Sequence, residues 1–383
     1  MRPRPRREPN LCLESCLELL RVSGPPTAAG TLDRLLREVA AGDLLRFLGR
    51  HRVDQLWYRA VLDRGWDRRL PPELDEALKR ARRHSAARVL LQLETARRAA
   101  AALDGEGVGH VFFKGIQLGE ELYGDAVLRP AADVDLLVAE DDRRQALAAL
   151  AAAGFSPAPE EGQPPYQITL AGHGSALDLH WHLLAPARRR ESLAAFFLAS
   201  RRRRDGLWFP DAESTLAALL LLPAVSDHVT SRLIHAVDLD RWLRRHDPGA
   251  GGRELDGRRV FELLARSGLK TAAWTMLEHT RRLFDTPVPP VLDDLAPGGL
   301  RRRYLRAWLR RDPARLHRSH PLLVRGGFSL FLHDRSGDAV RAIFGFLAVR
   351  GRRPGVAGPG GRWCGRCRSR RRSAPSPPPA GRG

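Results

Sequence analysis

Between residues 105 and 187 the spacing of apolar residues changes from a helical repeat to strand alternation and then back, which bounds the fold class. Upstream, L32-D-R-L-L-R-E-V39 and D43-L-L-R-F-L-G-R-H-R-V-D-Q-L-W-Y-R-A-V-L62 keep their apolar residues on one helical face. P71-P-E-L-D-E-A-L78 opens another helix, with proline early and acids in the first turn, that runs toward Leu103. Inside the window, V108-G-H-V-F-F113 is a β-branched and aromatic run after glycines, which predicts a strand. K114-G leads into a short helix, I116-Q-L-G-E-E-L-Y123, and L128 to V138 reads as loop, then strand. E140-D-D-R-R-Q-A-L-A-A-L-A-A-A153 predicts a helix with an acidic first turn, stopped by Gly154. Y166-Q-I-T-L170 and S175-A-L-D-L-H-W-H-L183 read as strands around a turn at Gly172 to Gly174. Downstream, S214-T-L-A-A-L-L-L-L222 is apolar enough for a core helix. From 228 to 245 Leu233, Ile234, Val237, Leu239 and Trp242 mark an inward face, and helices are expected at 259–284 and 299–310. The expected class is α+β: a small mixed sheet with helices, flanked by N- and C-terminal helical regions.

The expected divisions are a disordered basic start at 1–10, a helical region at 11–104, an α/β core at 105–187, a helical domain at 188–345 and a disordered Arg/Pro/Gly-rich tail at 350–383. The net charge of +20 first suggests a nucleic-acid partner. Ten arginines and no acid follow from Arg350 onward, so the tail carries half of that excess and any nucleic-acid contact is expected there. The lysines are Lys79, Lys114 and Lys270, and Ala, Gly, Pro and Arg abound throughout, as in a GC-rich coding sequence. Cys12, Cys16, Cys364 and Cys367 do not form a disulfide framework. No signal peptide is visible. The longest apolar run, L216-A-A-L-L-L-L-P-A-V225, is too short for a bilayer and contains Pro223. A soluble, cytoplasmic protein without a membrane partner is the expectation.

Two carboxylates stand at the front of a strand that otherwise reads as buried. In L128-R-P-A-A-D-V-D-L-L-V138, alternation aims Asp133 and Asp135 the same way, with Val134 and Leu136 packing behind. Paired carboxylates repel unless a proton or cation lies between them, and oxygen ligands suit Mg²⁺. On A176-L-D-L-H-W-H-L183, Asp178, His180 and His182 share the face opposite Leu177, Leu179, Trp181 and Leu183. Three carboxylates on adjacent strands could hold two metal ions for in-line phosphoryl or nucleotidyl transfer. F112-F-K-G-I116 is a strand ending in Lys-Gly before a helix. There Gly115 permits close backbone approach, the helix N-terminus favours an anion and Lys114 adds a charge; the other reading is an ordinary strand-to-helix turn. Arg129 could contact triphosphate or be a surface arginine.

The ordered pieces F113-K-G-I-Q-L-G-E-E-L-Y123, L128-R-P-A-A-D-V-D-L-L-V138 and L177-D-L-H-W181 resemble an uncharacterised bacterial branch of the nucleotidyltransferase superfamily, whose fold is polymerase-β-like. H51-R-V-D-Q-L-W-Y58 and H228…H235-A-V-D-L-D240 resemble the helical flanks of that branch, so the likeness covers much of 45–245. The resemblance implies transfer of a nucleoside monophosphate from an NTP such as ATP to a hydroxyl on a small molecule, protein or RNA, releasing pyrophosphate. It implies that Asp133 and Asp135 hold both Mg²⁺ (or Mn²⁺) ions. Asp178 would complete the ion near the attacking hydroxyl and help deprotonate it, and Lys114, Gly115 and Arg129 would position the triphosphate. The wider superfamily has Gly-Ser or Gly-Gly at the start of the helix before the D-x-D, where this chain has Lys114-Gly115-Ile116.

Two other readings are open. Asp178, His180 and His182 could bind Zn²⁺ in a hydrolase, or one histidine could orient Asp178. A degenerate transferase fold could serve as an RNA- or protein-binding module, to which the basic tail and W363-C-G-R-C367, half of a zinc site, would contribute. Arg201–Arg204 and Arg301–Arg303 read as solvated helix ends or loops. Asp238 could reach over the site or, as a surface aspartate, pair with Arg241 or Arg245.

Overall fold

Glycines set the boundary between the first helices and the sheet. The computed structural model describes residues 11–21, 28–158, 164–226, 232–310 and 320–351. Helices α1 (Leu11–Leu20), α2 (Ala28–Glu38), α3 (Ala41–His51) and α4 (Asp54–Asp63) precede α5 (Pro72–Gly105), a 34-residue helix about 51 Å long. The chain leaves α5 through Gly107 at φ +67° and enters β1 (His110–Phe113). Then come α6 (Gly115–Tyr123), β2 (Val134–Val138), α7 (Arg143–Ala152), β3 (Ser156–Pro157), β4 (Gln167–Gly172) and β5 (Ser175–His180). The sheet order is β1-β2-β5-β4-β3; β2 and β5 run parallel and every other neighbouring pair is antiparallel. β4 and β5 are joined through His173 at φ +53° and Gly174 at φ +87°, the paired positive angles of a tight hairpin turn.

Alternation divides the sheet between two hydrophobic clusters. Val134, Leu136, Leu177 and Leu179 pack with Ala96, Ala99 and Leu103 of α5 and with Ala146 and Leu150 of α7. Phe113 and Leu137 point to the other side, into a core that also holds Leu118 of α6 and Phe197 of α8 (Ala194–Ala199). Asp135 and Asp178 lie on this second side as well, because Phe113↔Asp135 and Asp135↔Asp178 are partners in the ladder. The expected packing behind the carboxylates is therefore present.

This second core joins the beginning and end of the described chain. Leu19, Leu32, Leu48 and Trp57 share it with residues of α9 (Ala212–Val225), α10 (Leu233–Arg245), α11 (Gly257–Ser267), α12 (Lys270–Phe284) and α13 (Gly299–Leu309). Of the 14 residues of α9, 12 are buried, which is why no polar face interrupts its sequence. The backbone N–H of Leu233 donates to His51 Nδ1 at 3.2 Å, and Arg21 donates to the carbonyl of Leu283 at 3.2 Å.

Several boundaries differ from the sequence reading. The acids Glu140, Asp141 and Asp142 form a turn ahead of α7 rather than its first turn. The expected helix at 259–284 is two helices, broken where Gly268 takes φ +72°. Arg201–Arg204, expected as solvated helix ends or loops, keep Arg202 and Arg203 exposed but place Arg202–Arg204 in β6, paired with β7 (Leu207–Phe209), and Arg201 and Arg203 lie over Trp208. β5 ends at His180, so His182 is not on the strand face. The last helix, Ser336–Gly351, reaches two residues into the stretch assigned to a tail. The expectations for 1–10, for His228, and for the tail beyond 351 with Cys364 and Cys367 lie outside the described residues. Cys12 and Cys16 are free thiols on α1, the second fully buried.

Candidate active site

Lys114 is the hinge of the site. It follows β1 and caps α6 at φ 60° and ψ −112°, a backbone region in which a non-glycine residue costs about 1–3 kcal/mol. That turn directs its ammonium to Asp135, with Nζ donating to Oδ1 at 2.9 Å. The next residue has to be glycine for a different reason. A Cβ on Gly115 would lie 2.8 Å from the Cβ of Ala131, in the loop that carries Asp133. The missing side chain thus brings the D-x-D loop onto the start of α6. The same loop is held from behind by α5, where Gln92 donates to the carbonyls of Ala131 at 3.2 Å and Asp133 at 3.4 Å.

Asp135 accepts two bonds on one oxygen. His180 Nε2 approaches Oδ1 at 3.1 Å, and because a carboxylate only accepts, this nitrogen carries the proton. The imidazole stands edge-on to Phe113, with ring centroids 5.3 Å apart. Asp178 accepts from Thr169 Oγ1 at 2.6 Å across the β4–β5 ladder. Asp135, Asp178 and His180 bring one donor atom each within 4.8 Å of the others. Asp133 precedes the first residue of β2 and is not part of that group.

The electrostatics separate the two aspartates of the D-x-D. Burial, then the charges of Asp135 and Asp178, push Asp133 up to about 6 against the pull of Lys114 and Arg52. Burial would also raise Asp135, but the Lys114 and His180 contacts outweigh it and hold it well below the usual carboxylate range. Burial works against the Lys114 charge, yet Asp135, Asp133 and Asp178 raise its pKa overall. The Lys114 ammonium therefore already lies among three carboxylates.

The remaining expected residues are placed as follows. Arg129 is 8% exposed, so the surface reading fails; its Nε donates to Asp238 Oδ2 at 2.8 Å. Tyr123 donates to the other oxygen of Asp238 at 2.6 Å, and Arg241 lies over the Tyr123 ring. Asp238 is fully buried and bonds neither Arg241 nor Arg245, correcting the surface-pair reading. Its neighbour Asp240 accepts from Arg244 and Thr286. His182 turns to Glu140 at 3.3 Å, away from Asp178 and His180. A cavity of about 640 Å³, lined by Arg202, Arg204, Arg245 and Arg253, opens beside Glu121 near the other end of α6, and none of the three carboxylates lines it.

Four contributors were not read from the sequence. Gln92 is a buried polar residue on a helix face, and Thr169 is visible only once β4 is paired with β5. Arg52, in a left-handed conformation after α3, places its charge within reach of Asp133, and Tyr166 lies within reach of the Lys114 charge. The H51-R-V-D-Q-L-W-Y58 stretch was the one pointer to Arg52.

The family described as uncharacterised nucleotidyltransferase matches residues 37–285. Among solved structures, the antibiotic-resistance factor ANT(2'')-Ia is similar at 16% identity, over 52% of this chain and 98% of that one, with a TM-score of 0.33. No curated protein matches the chain.

Proposed function

The chain belongs to this family of uncharacterised nucleotidyltransferases, and from that premise we propose that it moves a nucleoside monophosphate from an NTP to a hydroxyl acceptor, releasing pyrophosphate. The observation that carries the reading is the parallel register of Asp135 with Asp178, which sets two carboxylates side by side with Lys114 against them. The donor set fits a divalent cation, since the Asp135, Asp178 and His180 atoms meet within 4.8 Å. Asp133, Asp135 and Asp178 are assigned to Mg²⁺ or Mn²⁺, which when bound would neutralise charge developing on the phosphates. Asp178 takes the proton of the attacking hydroxyl as its oxygen bonds to the α-phosphorus and the bond to the pyrophosphate oxygen breaks. Lys114, at the N-terminus of α6, moves from Asp135 to the departing phosphates. Gly115 keeps the D-x-D loop in place, and Arg129 fixes the same loop through Asp238. The catalytic core is assigned to 105–187, with helical regions at 11–104 and 188–345 on either side.

One observation favours a second reading. Lys114 already satisfies Asp135, and the helix start has no hydroxyl, so a fold without catalysis that binds RNA or protein is the alternative. Purified protein is incubated with Mg²⁺ or Mn²⁺ and each radiolabelled NTP, alone and with cell extract. Label transfer that disappears in Asp133→Ala and Asp135→Ala is expected. No nucleotide binding by calorimetry with either ion overturns the enzyme and leaves the binding module.

A further inference from the structure

We propose that His180 joins Asp135 and Asp178 in the metal-binding set, and that the resulting nitrogen–oxygen site selects a first-row transition ion such as Mn²⁺ over Mg²⁺. The inference deepens the nucleotidyltransferase reading and rests on it. Asp135 and Asp178 are register partners on parallel strands, so their side chains leave the sheet on one side. His180 follows two residues after Asp178 on the same strand and shares that face. The three donor atoms lie within 4.8 Å of one another. Asp133 stands in the loop before β2, outside the group.

The imidazole is built to stay there. His180 is 4% exposed, its ring is fixed at 69° to Phe113, and its Nε2 is aimed at the carboxylate oxygen of Asp135. A cation already occupies the neighbourhood, since Lys114 Nζ is bonded to the same oxygen. Replacing that ammonium with a divalent ion needs Nε2 to give up its proton and present a lone pair. Nδ1, buried without a partner among the described residues, can take up a proton as the tautomer changes. An all-oxygen set suits Mg²⁺, whereas an imidazole nitrogen favours first-row transition ions. His182 lies beyond the end of the strand, its Nε2 3.3 Å from Glu140, and is not among the three converging donors.

The test is nitrogen coupling to bound Mn²⁺, read by pulsed electron paramagnetic resonance on the full chain. Wild type is expected to show ¹⁴N modulation that converts to ¹⁵N in protein grown with ¹⁵N-histidine, a measurement that needs no variant. His180→Asn should remove the modulation and lower the Mn²⁺-over-Mg²⁺ affinity ratio on the order of tenfold, whereas His182→Asn should change neither. Bound Mn²⁺ without histidine coupling, or a ratio unchanged in His180→Asn, overturns the proposal and leaves the transferase standing on an all-oxygen site. Failure to bind Mn²⁺ and nucleotide at all overturns both.

Discussion

Replacing Asp133 by asparagine should make the metal-free protein more stable at pH 8. Burial beside Asp135 and Asp178 raises this carboxyl from 3.8 to about 6, so the folded chain holds its proton more tightly than the unfolded chain does. A raised acid is a penalty on the ionised fold, present above about pH 6 and gone below the unfolded value. At about 1.4 kcal/mol per unit the full penalty is about 3 kcal/mol. Asp133 is only partly buried and shares its field with two other carboxylates, which reduces the gain to about 1–2 kcal/mol. Urea unfolding in EDTA at fixed pH between 4 and 8 measures it. Asp133→Asn is expected to exceed wild type by that amount at pH 8, with the gap closing as pH falls through about 6 and absent near 4. A variant less stable than wild type at pH 8, or a gap that ignores pH, refutes the reasoning.

Three further outcomes follow from the same contacts. Lys114→Met strips Asp135 of its cation and should lose about 2–3 kcal/mol in EDTA, the part-exposed lysine moderating the cost of a broken buried pair; Mn²⁺ should then raise its melting temperature more than it raises that of wild type, and an equal rise counts against the lysine as metal stand-in. Arg129→Met leaves Asp238 buried with Tyr123 alone and should cost about 3–5 kcal/mol, much of it recovered in the Arg129→Met/Asp238→Leu double variant; strictly additive losses in a double-mutant cycle would dissolve the pair. Gly115→Ala forces Ala131 away and should cost about 1–3 kcal/mol together with nucleotide binding, while an unchanged melting temperature would show that the approach is not tight.

The sequence displayed the parts whose cause is local. Alternation at Val134 to Val138 and at Leu177 to His180 correctly set apolar residues behind the carboxylates, since side-chain direction in a strand follows from period two. Strand order is not local: nothing in the spacing says that β5 pairs in parallel with β2, yet that pairing aligns Asp178 with Asp135 and carries His180 to the same oxygen as Lys114. Arg129 and Asp238, 109 residues apart, look like two ordinary charges until α10 is packed beside the D-x-D loop. Arg202–Arg204 are solvent-facing as their charge suggests, but they form a strand rather than a helix end or loop, with Arg203 lying over Trp208 and Arg204 over Phe209.

The core shared by Leu19, Leu32, Leu48 and Trp57 with Leu220, Trp242 and Trp274 sets a schedule for synthesis. The first helices leave the ribosome with their apolar faces formed and their partners not yet made. Trp57 waits for Trp242, which at 5–20 residues per second is a delay of roughly 10–40 s. During that interval the early segment presents a sticky surface to whatever is nearby. Removing α9 to α12 would leave that segment without its complement, so a fragment ending at Asp211 should aggregate even though it contains the entire sheet.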